Sequence, residues 1–559
     1  MTIAFVTYET SFAPCGGVAA TMEHLPVAVA NESGERVVVL SPYHHRIGRM
    51  RALDTDLIGR IRTRVDGTET EVNLHLHRNR VEWLFLQAQD SRFFAGLRHP
   101  FDVKSGGDLL RDSLLFGTAA AGALGELDAA QSWRVFMQDW EGATTALALA
   151  GRSGAHRLIL TLHNTYDKDV SDEDLRRFAI DPAACPGRTV LSRALPHVEK
   201  QVVTVSQQFA CDITRETWQC RIMAAHLQDL LQGRLLGIDN GPFVELNVGR
   251  KILEAAKEGR LSALKRWKTT KRARFLQAIR RHPLDTERPI WGDYKGFPED
   301  RSPWFVMAGR DDPRQKGYDL AASAARRFLE EWGEAKFLFF PIPGDEGIHG
   351  LGFLRNLAER FPKNVLVFPF RFSDGFSAAL QGASFGLMPS FYEPFGMANE
   401  YYLNGTAVIG RATGGLIQQV VPVPGVSSFT EAVASRYERA IARDWWGKDP
   451  LPTGILFRES DELATAETDW QAVNAAQYDP AGNQPDRVTQ RERLPLFAAM
   501  SGHLRDAMRD GARIFESEPE RYCAMIVKGI ENIQMRFAWQ TAARAYLRVG
   551  DNRPRTSPS

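Results

Sequence analysis

Short apolar runs rich in β-branched and aromatic residues alternate along the chain with longer segments of helical periodicity. Ten runs have the length and composition of buried strands, at residues 3–8, 36–40, 133–138, 157–163, 201–206, 303–309, 336–341, 364–370, 384–390 and 406–410. Because runs this apolar must be covered on both faces, they predict parallel sheets with helices on each side. The two series predict an α/β protein of two Rossmann-like, doubly wound domains.

Proline, glycine and charged residues concentrate in residues 280–304, which predicts a domain boundary there. We expect an N-terminal Rossmann-like domain over residues 1–285 and a C-terminal one over residues 286–535. Residues 469–495 are typical of an inserted surface loop, and we expect a disordered tail over residues 551–559.

Residues 250–281 have a strongly basic composition, with twelve Lys and Arg against two acids, Glu254 and Glu258. The segment is predicted to be helical. Two interpretations stay open for its charge. It is either a solvated face or a basic edge beside a phosphate or polyanion.

Composition limits the classes of partner and the compartment. The 559 residues carry 69 basic and 68 acidic side chains, so the net charge of +1 gives no general reason to expect nucleic acid or an anionic membrane as partner. No run of 18 apolar residues is present, and the N-terminus is predicted to be a strand and not a signal peptide. Five scattered cysteines without a CxxC pair favour reduced thiols in the cytoplasm.

Each predicted domain has a glycine pair between a strand and a helix. Gly16-Gly17 follows the first strand, and Gly414-Gly415 follows the last, just after Thr413. Glycines let a ligand approach the backbone, and the free N–H groups of a helix N-terminus favour an anion or a hydroxyl. Either pair alone is also typical of a tight connection. At strand ends of two Rossmann-like domains, the two pairs together predict a ligand site in an interdomain cleft.

The stretch "MPSFYEPFGMANEYY" (residues 388–402) places an acid, a proline and a glycine in one turn. Pro394 is suited to the entry of a helix, and Gly396 is predicted to open its first turn. The N–H groups near Gly396 and Met397 would favour a phosphate, and the Glu393 carboxylate can accept hydrogen bonds from sugar hydroxyls. The turn is therefore a candidate site for a sugar-phosphate donor.

Four further polar residues follow predicted strands. Arg310 and Lys316 flank a proline-containing turn after the strand at 303–309 and form a candidate cationic clamp for a diphosphate. Each could also be an ordinary surface cation. Asp139 and His163 each follow a strand of the first domain and are expected to face the same cleft, although a structural histidine is the alternative.

Taken together, these residues resemble the bacterial glycogen synthases and plant starch synthases, which are retaining glucosyltransferases with the GT-B fold. "CGGVAATMEHLP" resembles the family's KTGGL-type loop, "VFMQDWEG" its HDWH strand end, and "LILTLHNTYD" its TVHN strand end. "GRDDPRQKGYDL" is similar to SRLxxQKGLDL, and "PSFYEPFGMANEYYLNGTAVIGRATGGL" is similar to PSRFEPCGL…YG…GT…RRTGGL. "FAWQTAARAYLRV" resembles the closing helix, which implies that residues 536–550 return to the N-terminal domain.

The resemblance implies a role for each candidate residue. The implied catalytic residues are His163, Asp139, Arg310, Lys316 and Glu393, with the two cations on the donor diphosphate, Glu393 on the donor glucose and Asp139 in the acceptor region. The implied donor-binding residues are Gly16, Gly17, Asn240, Gly396, Met397, Tyr401, Thr413 and Gly414. Tyr401 is favoured over Glu400 as the residue that faces the nucleotide, because adjacent helical positions lie about 100° apart.

The implied reaction transfers glucose from a nucleotide-diphosphate glucose to an α-1,4-glucan or related oligosaccharide, with ADP-glucose favoured over UDP-glucose. The N-terminal domain would bind the acceptor and the C-terminal domain the donor. No cofactor and no metal are expected, because Arg310 and Lys316 can supply the positive charge.

Four residues depart from the family's pattern. Pro14 replaces the loop lysine, Ala20 replaces the acid after the loop, and Gln138 and Glu141 replace the histidines of HDWH. These departures keep open an alternative, a catalytically impaired glucan- or nucleotide-sugar-binding relative with a regulatory role. A GT-B phosphorylase is a third possibility, but no local feature marks the Schiff-base lysine that it would need.

Overall fold

A computed structural model describes residues 2–550, except 103–107, 128–131, 152–155, 284, 286, 345–346, 448 and 477–485. The chain divides into two compact units. Unit 1 contains Met1–Thr214, Met223–Gly241 and Ala538–Ser559, and unit 2 contains Arg215–Ile222 and Pro242–Phe537. None of the described helices is long and apolar enough to cross a membrane.

Unit 1 is built on a nine-stranded sheet. Its strands are β1 (Thr2–Val6), β2 (Val37–Pro42), β3 (Asp56–Val65), β4 (Thr68–Arg78), β5 (Glu82–Ala88), β6 (Trp133–Gln138), β7 (Arg157–Leu162), β8 (Val202–Thr204) and β9 (Leu235–Gly237). The order is β3-β4-β5-β2-β1-β6-β7-β8-β9. Pairing is parallel from β5 to β9 and antiparallel in β3–β4 and β4–β5.

The central strands of this sheet, β1 and β6, are buried along their whole length because helices cover both faces. The helices of unit 1 are α1 (Gly17–Ser33), α2 (Gly48–Arg51), α3 (Leu109–Leu127), α4 (Asp139–Leu149), α5 (Asp172–Arg177), α6 (Val190–Ala194), α7 (Gln207–Arg215), α8 (Gln228–Leu231) and, at the end of the chain, α23 (Trp539–Leu547). From β5 to β8 the order is that of a Rossmann fold, with its switch point between β1 and β6.

Unit 2 is built on a six-stranded parallel sheet. Its strands are β10 (Trp304–Arg310), β11 (Lys336–Ile342), β12 (Val365–Val367), β13 (Phe385–Met388), β14 (Ala407–Arg411) and β15 (Gly454–Phe457). The order β12-β11-β10-β13-β14-β15 is again that of a Rossmann fold, with the switch point between β10 and β13.

The helices of unit 2 cover both faces of its sheet. They are α9 (Arg250–Lys257), α10 (Leu261–Arg281), α11 (Tyr318–Trp332), α12 (Gly352–Arg360), α13 (Ser373–Gly382), α14 (Ala398–Leu403), α15 (Gly414–Gln419), α16 (Glu431–Glu438), α17 (Ala442–Trp446), α18 (Asp461–Thr465), α19 (Glu467–Ala475), α20 (Arg487–Arg491), α21 (Pro495–Ser517) and α22 (Pro519–Arg536). The two doubly wound α/β units predicted from the apolar runs are thus present.

The boundary between the units lies at Gly241–Pro242, whereas the sequence predicted it at residue 285. Two buried cations of α10 explain the difference. Lys268 Nζ donates a hydrogen bond to the Ala383 carbonyl at 2.6 Å, and Arg272 Nε donates one to the Gly382 carbonyl at 2.9 Å. These bonds hold α10 on unit 2, so the change in composition at 280–304 marks a loop inside this unit.

The segment predicted as a surface loop at 469–495 is partly helical. Its described residues include the end of α19 and all of α20, while residues 477–485 lie outside the described part of the chain. Arg487 pairs with Asp311 at 2.7 Å and Arg491 with Asp319 at 2.7 Å, and all four side chains are buried. Paired buried charges of this kind hold α20 against the unit.

The end of the chain returns to unit 1 at Ala538. There α23 packs along α1, the rings of His24 and Trp539 stack with centroids 5.5 Å apart, and Arg544 pairs with Glu32 at 2.8 Å. The tail at 551–559 lies outside the described residues, so its disorder stays a prediction.

Two glycines of α3 provide a matched test of the packing behind β6. A β-carbon at Gly117 would overlap the side chain and backbone of Thr144 on α4, whereas no atom lies within 4 Å of one at the exposed Gly125. We expect Gly117→Ala to destabilise the protein by about 1–3 kcal/mol through overpacking. Gly125→Ala should stabilise it by about 0.5–1 kcal/mol through helix propensity. Urea unfolding of both variants measures the difference, and equal effects would contradict this packing.

Candidate functional site

Unit 2 brings three turns together at the carboxyl ends of β10, β13 and β14. Lys316, after β10, places Nζ 2.8 Å from Oε2 and 3.0 Å from Oε1 of Glu393, which lies after β13. The Gly415 N–H, after β14, donates to the Glu393 carbonyl at 2.8 Å. Ser390 Oγ also donates to Glu393 Oε2 at 2.8 Å. Glu393 is therefore the point where the turns meet, beside the switch point of the sheet, where Rossmann-like folds bind their ligands.

Close packing around Glu393 explains two of the glycines. A β-carbon at Gly414 would overlap the Glu393 carbonyl, and one at Gly396 would lie 2.7 Å from Glu393 Cγ. Gly396 has φ +92°, which is not a helical value, so it does not open the helix as predicted. α14 begins at Ala398, and Met397 is its N-cap residue. Thr413 has the same position before α15.

A buried arginine, Arg411, stabilises the turn that contains Glu393. Arg411 Nη1, at the end of β14, donates to the Phe391 carbonyl at 2.7 Å, and its other nitrogens pair with the buried carboxylate of Glu459. Sequence reasoning missed this pair. The arginine stands in "GRATGG", beside the glycines that were noticed, but its partner is 48 residues away along the chain.

Arg310 is the last residue of β10 and is half-buried. The next residue, Asp311, turns into the unit and pairs with Arg487. Lys316 donates its backbone N–H to the Asp312 carbonyl at 3.0 Å, which shapes the intervening turn. Both predicted cations thus belong to the β10 end of the sheet, and Lys316 is the one that contacts Glu393.

Tyr401 does not lie where the sequence analysis expected the nucleotide-facing residue. Its side chain is fully buried against Gly386 in the sheet, and its hydroxyl donates to the Val306 carbonyl at 3.5 Å. The preceding residue, Glu400, is the polar group that sequence reasoning set aside. Its Oε1 accepts the Phe243 N–H at 2.9 Å, and its buried Oε2 has no hydrogen-bond partner among the described residues.

Burial raises the pKa of Glu400 to about 7, against the opposing effects of the Phe243 hydrogen bond and the Lys316 charge. A buried acceptor oxygen without a partner is costly and suits a ligand hydroxyl or amide. The sequence alone could not decide whether Glu400 or Tyr401 faces a ligand. The two residues are neighbours in α14, a helix of only six residues.

In unit 1, Asp139 and His163 come together at the carboxyl ends of β6 and β7. The His163 backbone N–H donates to Asp139 Oδ1 at 2.7 Å. His163 Nε2 lies 2.8 Å from Gln138 Oε1, and the amide nitrogen of Gln138 donates to the Phe136 carbonyl at 3.0 Å. Because that amide oxygen faces the ring, Nε2 of His163 carries the proton. The two residues that were predicted to face one cleft thus lie together at this edge of the sheet, and their role there stays a prediction.

Burial shifts the protonation of this cluster. It lowers the pKa of His163 to about 4, so the imidazole is neutral at pH 7. Burial also raises the pKa of Asp139 to about 7, and the negative charge of Glu9 adds to this shift. Asp139 has φ +53°, a strained value for a residue other than glycine, and such strain is concentrated at functional sites.

A carboxylate of the protein itself contacts the first glycine turn. The N–H groups of Cys15 and Gly16, just before α1, both donate to Glu9 Oε1, the first at 2.7 Å. Glu9 therefore uses two of the backbone donors at this turn, and ligand binding at Gly16-Gly17 stays a prediction. The sequence analysis missed Glu9, which lies six residues before the loop that begins at Cys15. The available signal was an acid placed shortly before a GG turn.

Glu141, a further departure from the family pattern, and Asn240 complete the unit 1 cluster. Glu141 is buried, and desolvation together with Asp139 raises its pKa well above its ordinary value. Asn240 is buried beside α1, where its Nδ2 donates to Thr21 Oγ1 at 3.4 Å and its Oδ1 has no partner among the described residues. In the described part of the chain, no group of three or more His, Cys, Asp or Glu side chains could hold a metal ion.

Residues 2–232 match the family model described as the starch synthase catalytic domain. The glycogen synthase of Pseudomonas syringae pv. syringae is 27% identical over 326 residues, which cover 55% of this chain and 61% of that one. The glycogen synthase of Dechloromonas aromatica is 25% identical over 444 residues, which cover 76% and 84%. The chain thus spans about three fifths of the first of these relatives.

Two solved structures share the fold over nearly the whole chain. The catalytic domain of starch synthase IV from Arabidopsis thaliana, bound to ADP and acarbose, has a TM-score of 0.62 at 16% identity and covers 95% of this chain and 99% of that one. The sucrose-phosphate synthase of Thermosynechococcus elongatus has a TM-score of 0.51 at 16% identity, with 98% of each chain covered. The fold is therefore GT-B, with two Rossmann-like units. Within that class, the chain is similar in sequence to the glycogen synthases and, over residues 2–232, to the starch synthase catalytic domain, in line with the resemblance.

The buried neutral imidazole of His163 predicts a loss of stability in acid. With a folded pKa of about 4 and an unfolded value of about 6.5, its contribution is complete above pH 6.5 and is lost as the pH falls toward 4. Relative to the variant His163→Gln, the wild type should lose on the order of 2–3 kcal/mol between pH 7 and pH 4. Thermal unfolding across this range measures the difference, with the exposed His349→Gln as control. A difference that is independent of pH would contradict a buried neutral imidazole.

Proposed function

We propose that this protein is a retaining glucosyltransferase that moves glucose from a nucleotide-diphosphate glucose to an α-1,4-glucan or related oligosaccharide. The observation that carries the proposal is the Lys316–Glu393 pair at the switch point of unit 2. It combines a cation for a diphosphate with a carboxylate for sugar hydroxyls, and relatives of glycogen synthase type support the same activity.

In the proposed reaction, the bond between the anomeric carbon of glucose and the diphosphate oxygen breaks. The acceptor hydroxyl forms a bond to that carbon on the same face, and its proton leaves with the diphosphate. Lys316 and Arg310 neutralise the charge that develops on the departing oxygens, which is the largest contribution such a site makes. Retention is carried over from the family that the chain resembles.

In the same proposal, Glu393 accepts hydrogen bonds from the hydroxyls of the donor glucose. Backbone groups in the turns around it also contact the donor, at Gly396, Met397, Thr413 and Gly414. The close approach of those turns to Glu393 supports this assignment.

For unit 1, we propose that His163, Asp139 and Asn240 hold sugar hydroxyls, and Asp139 those of the acceptor. The neutral imidazole and the unpartnered Asn240 oxygen support this role, because both can bond to an uncharged sugar. Gly16 and Gly17 are assigned to shaping the α1 terminus around Glu9, and not to contacting a phosphate. Cytoplasmic location belongs to the same proposal, and five free cysteines support it.

ADP-glucose is the proposed donor, supported by the ADP bound to the starch synthase of the same fold. The nucleotide is proposed to contact Glu400, whose unpartnered oxygen lies on a buried carboxyl influenced by Lys316. This proposal replaces Tyr401, whose hydroxyl is already bonded within the sheet.

The activity is tested by incubating the protein with ADP-, UDP- or GDP-glucose and a maltooligosaccharide. We expect release of nucleoside diphosphate and elongation through an α-linkage, which proton NMR of the anomeric signals identifies. A β-linked product would reject retention. If no donor releases diphosphate although maltodextrin binds, the non-catalytic alternative is correct.

Removing the Lys316 ammonium tests whether the Lys316–Glu393 pair is needed for activity. We expect Lys316→Met to lower kcat/KM by about 10²–10³-fold, the usual cost of a lost transition-state donor. Glu393→Gln should cost a similar factor, and the double variant should cost less than the product of the two, because the groups are in contact. The exposed Lys363→Met is the matched control and should retain wild-type kinetics. Full activity of Lys316→Met would reject the assignment.

Adjacent residues of α14 test the nucleotide contact. Glu400→Gln keeps the acceptor for the Phe243 N–H but removes the carboxylate, and we expect the donor KM to rise about tenfold, as for one lost charged hydrogen bond. Tyr401→Phe loses one long bond inside the sheet and should leave the donor KM within about twofold. Steady-state kinetics with varied donor measure both. The reverse pattern would restore Tyr401 as the nucleotide contact.

A further inference from the structure

Helices α9 and α10 form an open groove of about 430 Å³ on the surface of unit 2. One face of α10 supplies most of the lining, with Ile252 of α9 opposite. The α10 residues are Ala263, Arg266, Trp267, Thr270, Lys271 and Arg274, which recur at intervals of three and four and so lie on one side of the helix. Three cations of the basic segment thus share one shallow groove.

The positive charge in this groove is not compensated by the protein. Among the described residues, no acidic side chain forms an ion pair within 4 Å of Arg266, Lys271 or Arg274. Burial lowers the pKa of Lys271, and the nearby charge of Arg274 lowers it further. Lys271 is half-buried while Arg266 and Arg274 are exposed, and like charges gathered at one surface favour the binding of an anion.

The indole of Trp267 adds a flat surface of fixed orientation beside these cations. Lys271 Nζ lies 5.3 Å from the ring centroid. The Trp267 ring packs against Gly405. A β-carbon placed at Gly405 would lie only 2.9 Å from Cζ3 of the ring. A half-buried ring that is held at its edge can pack against the flat face of a sugar or a base.

We propose that this groove binds a small organic phosphate. Arg266, Lys271 and Arg274 hold the phosphate, which suits both bidentate guanidinium contacts and a point-charge ammonium, and the ring attached to it lies on Trp267. A volume of about 430 Å³ leaves room for a phosphate and one ring, with one side of the ligand open to solvent. The ring could be a sugar or a purine, and the experiment distinguishes them.

The test measures binding of glucose 1-phosphate, AMP and inorganic phosphate to the full-length protein by calorimetry at constant ionic strength. We expect at least one organic phosphate to bind at least tenfold more tightly than inorganic phosphate, and the one that does identifies the ring. The double variant Arg266→Glu/Arg274→Glu should weaken that binding at least tenfold. Trp267→Ala should bring it close to the affinity for inorganic phosphate.

Two control variants separate this groove from other sites. Arg250→Glu/Arg281→Glu makes the same charge change on exposed positions of α9 and α10 that do not line the groove, and should leave the affinity unchanged. Lys316→Met should also leave it unchanged, because binding there would belong to the proposed donor site. The proposal is overturned if neither organic phosphate binds below 10 mM, if inorganic phosphate binds equally well, or if Lys316→Met abolishes binding and Arg266→Glu/Arg274→Glu does not.

Discussion

The ion pair between Lys316 and Glu393 is the contact on which the candidate site of unit 2 depends. A carboxylate that is only 2% exposed is costly unless a cation and hydrogen-bond donors compensate it. Here the cation comes from the turn after β10, a hydroxyl from Ser390, and the Gly415 N–H fixes the backbone of the same residue. These contacts with one buried acid therefore hold three separate turns together. The same arrangement places the Lys316 ammonium at the switch point of the sheet.

The buried carboxyl groups of unit 1 have different hydrogen-bond partners. Backbone N–H groups at the start of α1 donate to Glu9, and the backbone N–H of His163 donates to Asp139. Backbone dipoles therefore contribute to the electrostatics at this edge of the sheet. The buried acid of unit 2 is held by a side-chain ion pair, whereas these two acids of unit 1 accept backbone hydrogen bonds.

The sequence predicted the architecture well because buried parallel strands are apolar throughout. Each of the ten predicted strands overlaps an observed one, while β3, β4, β5, β9 and β15 were not among the ten. In β3 the residues are mostly exposed, with arginines at alternate positions. Asp139 and His163 were expected on the same side of the molecule because parallel strands end at one edge of a sheet, and the hydrogen bond from the His163 N–H to Asp139 is the kind of contact that this rule allows. The choice between Glu400 and Tyr401 could not be predicted, since it depends on which way each side chain turns near the start of α14. The boundary at 285 failed for a related reason, because composition does not reveal the buried bonds of Lys268.

Burial of carboxyl groups at both sites also changes how many protons the folded molecule carries. Burial raises the pKa of Asp139 and of Glu400 to about 7, so each is partly protonated at neutral pH, and it raises the pKa of Glu141 well above its ordinary value. The formal charge of +1 counts all three as ionised. These three carboxyls are therefore less ionised in the folded protein than that count assumes. Ligands that bind at these carboxyls will release or take up protons as they do so, and their apparent affinities will depend on the buffer.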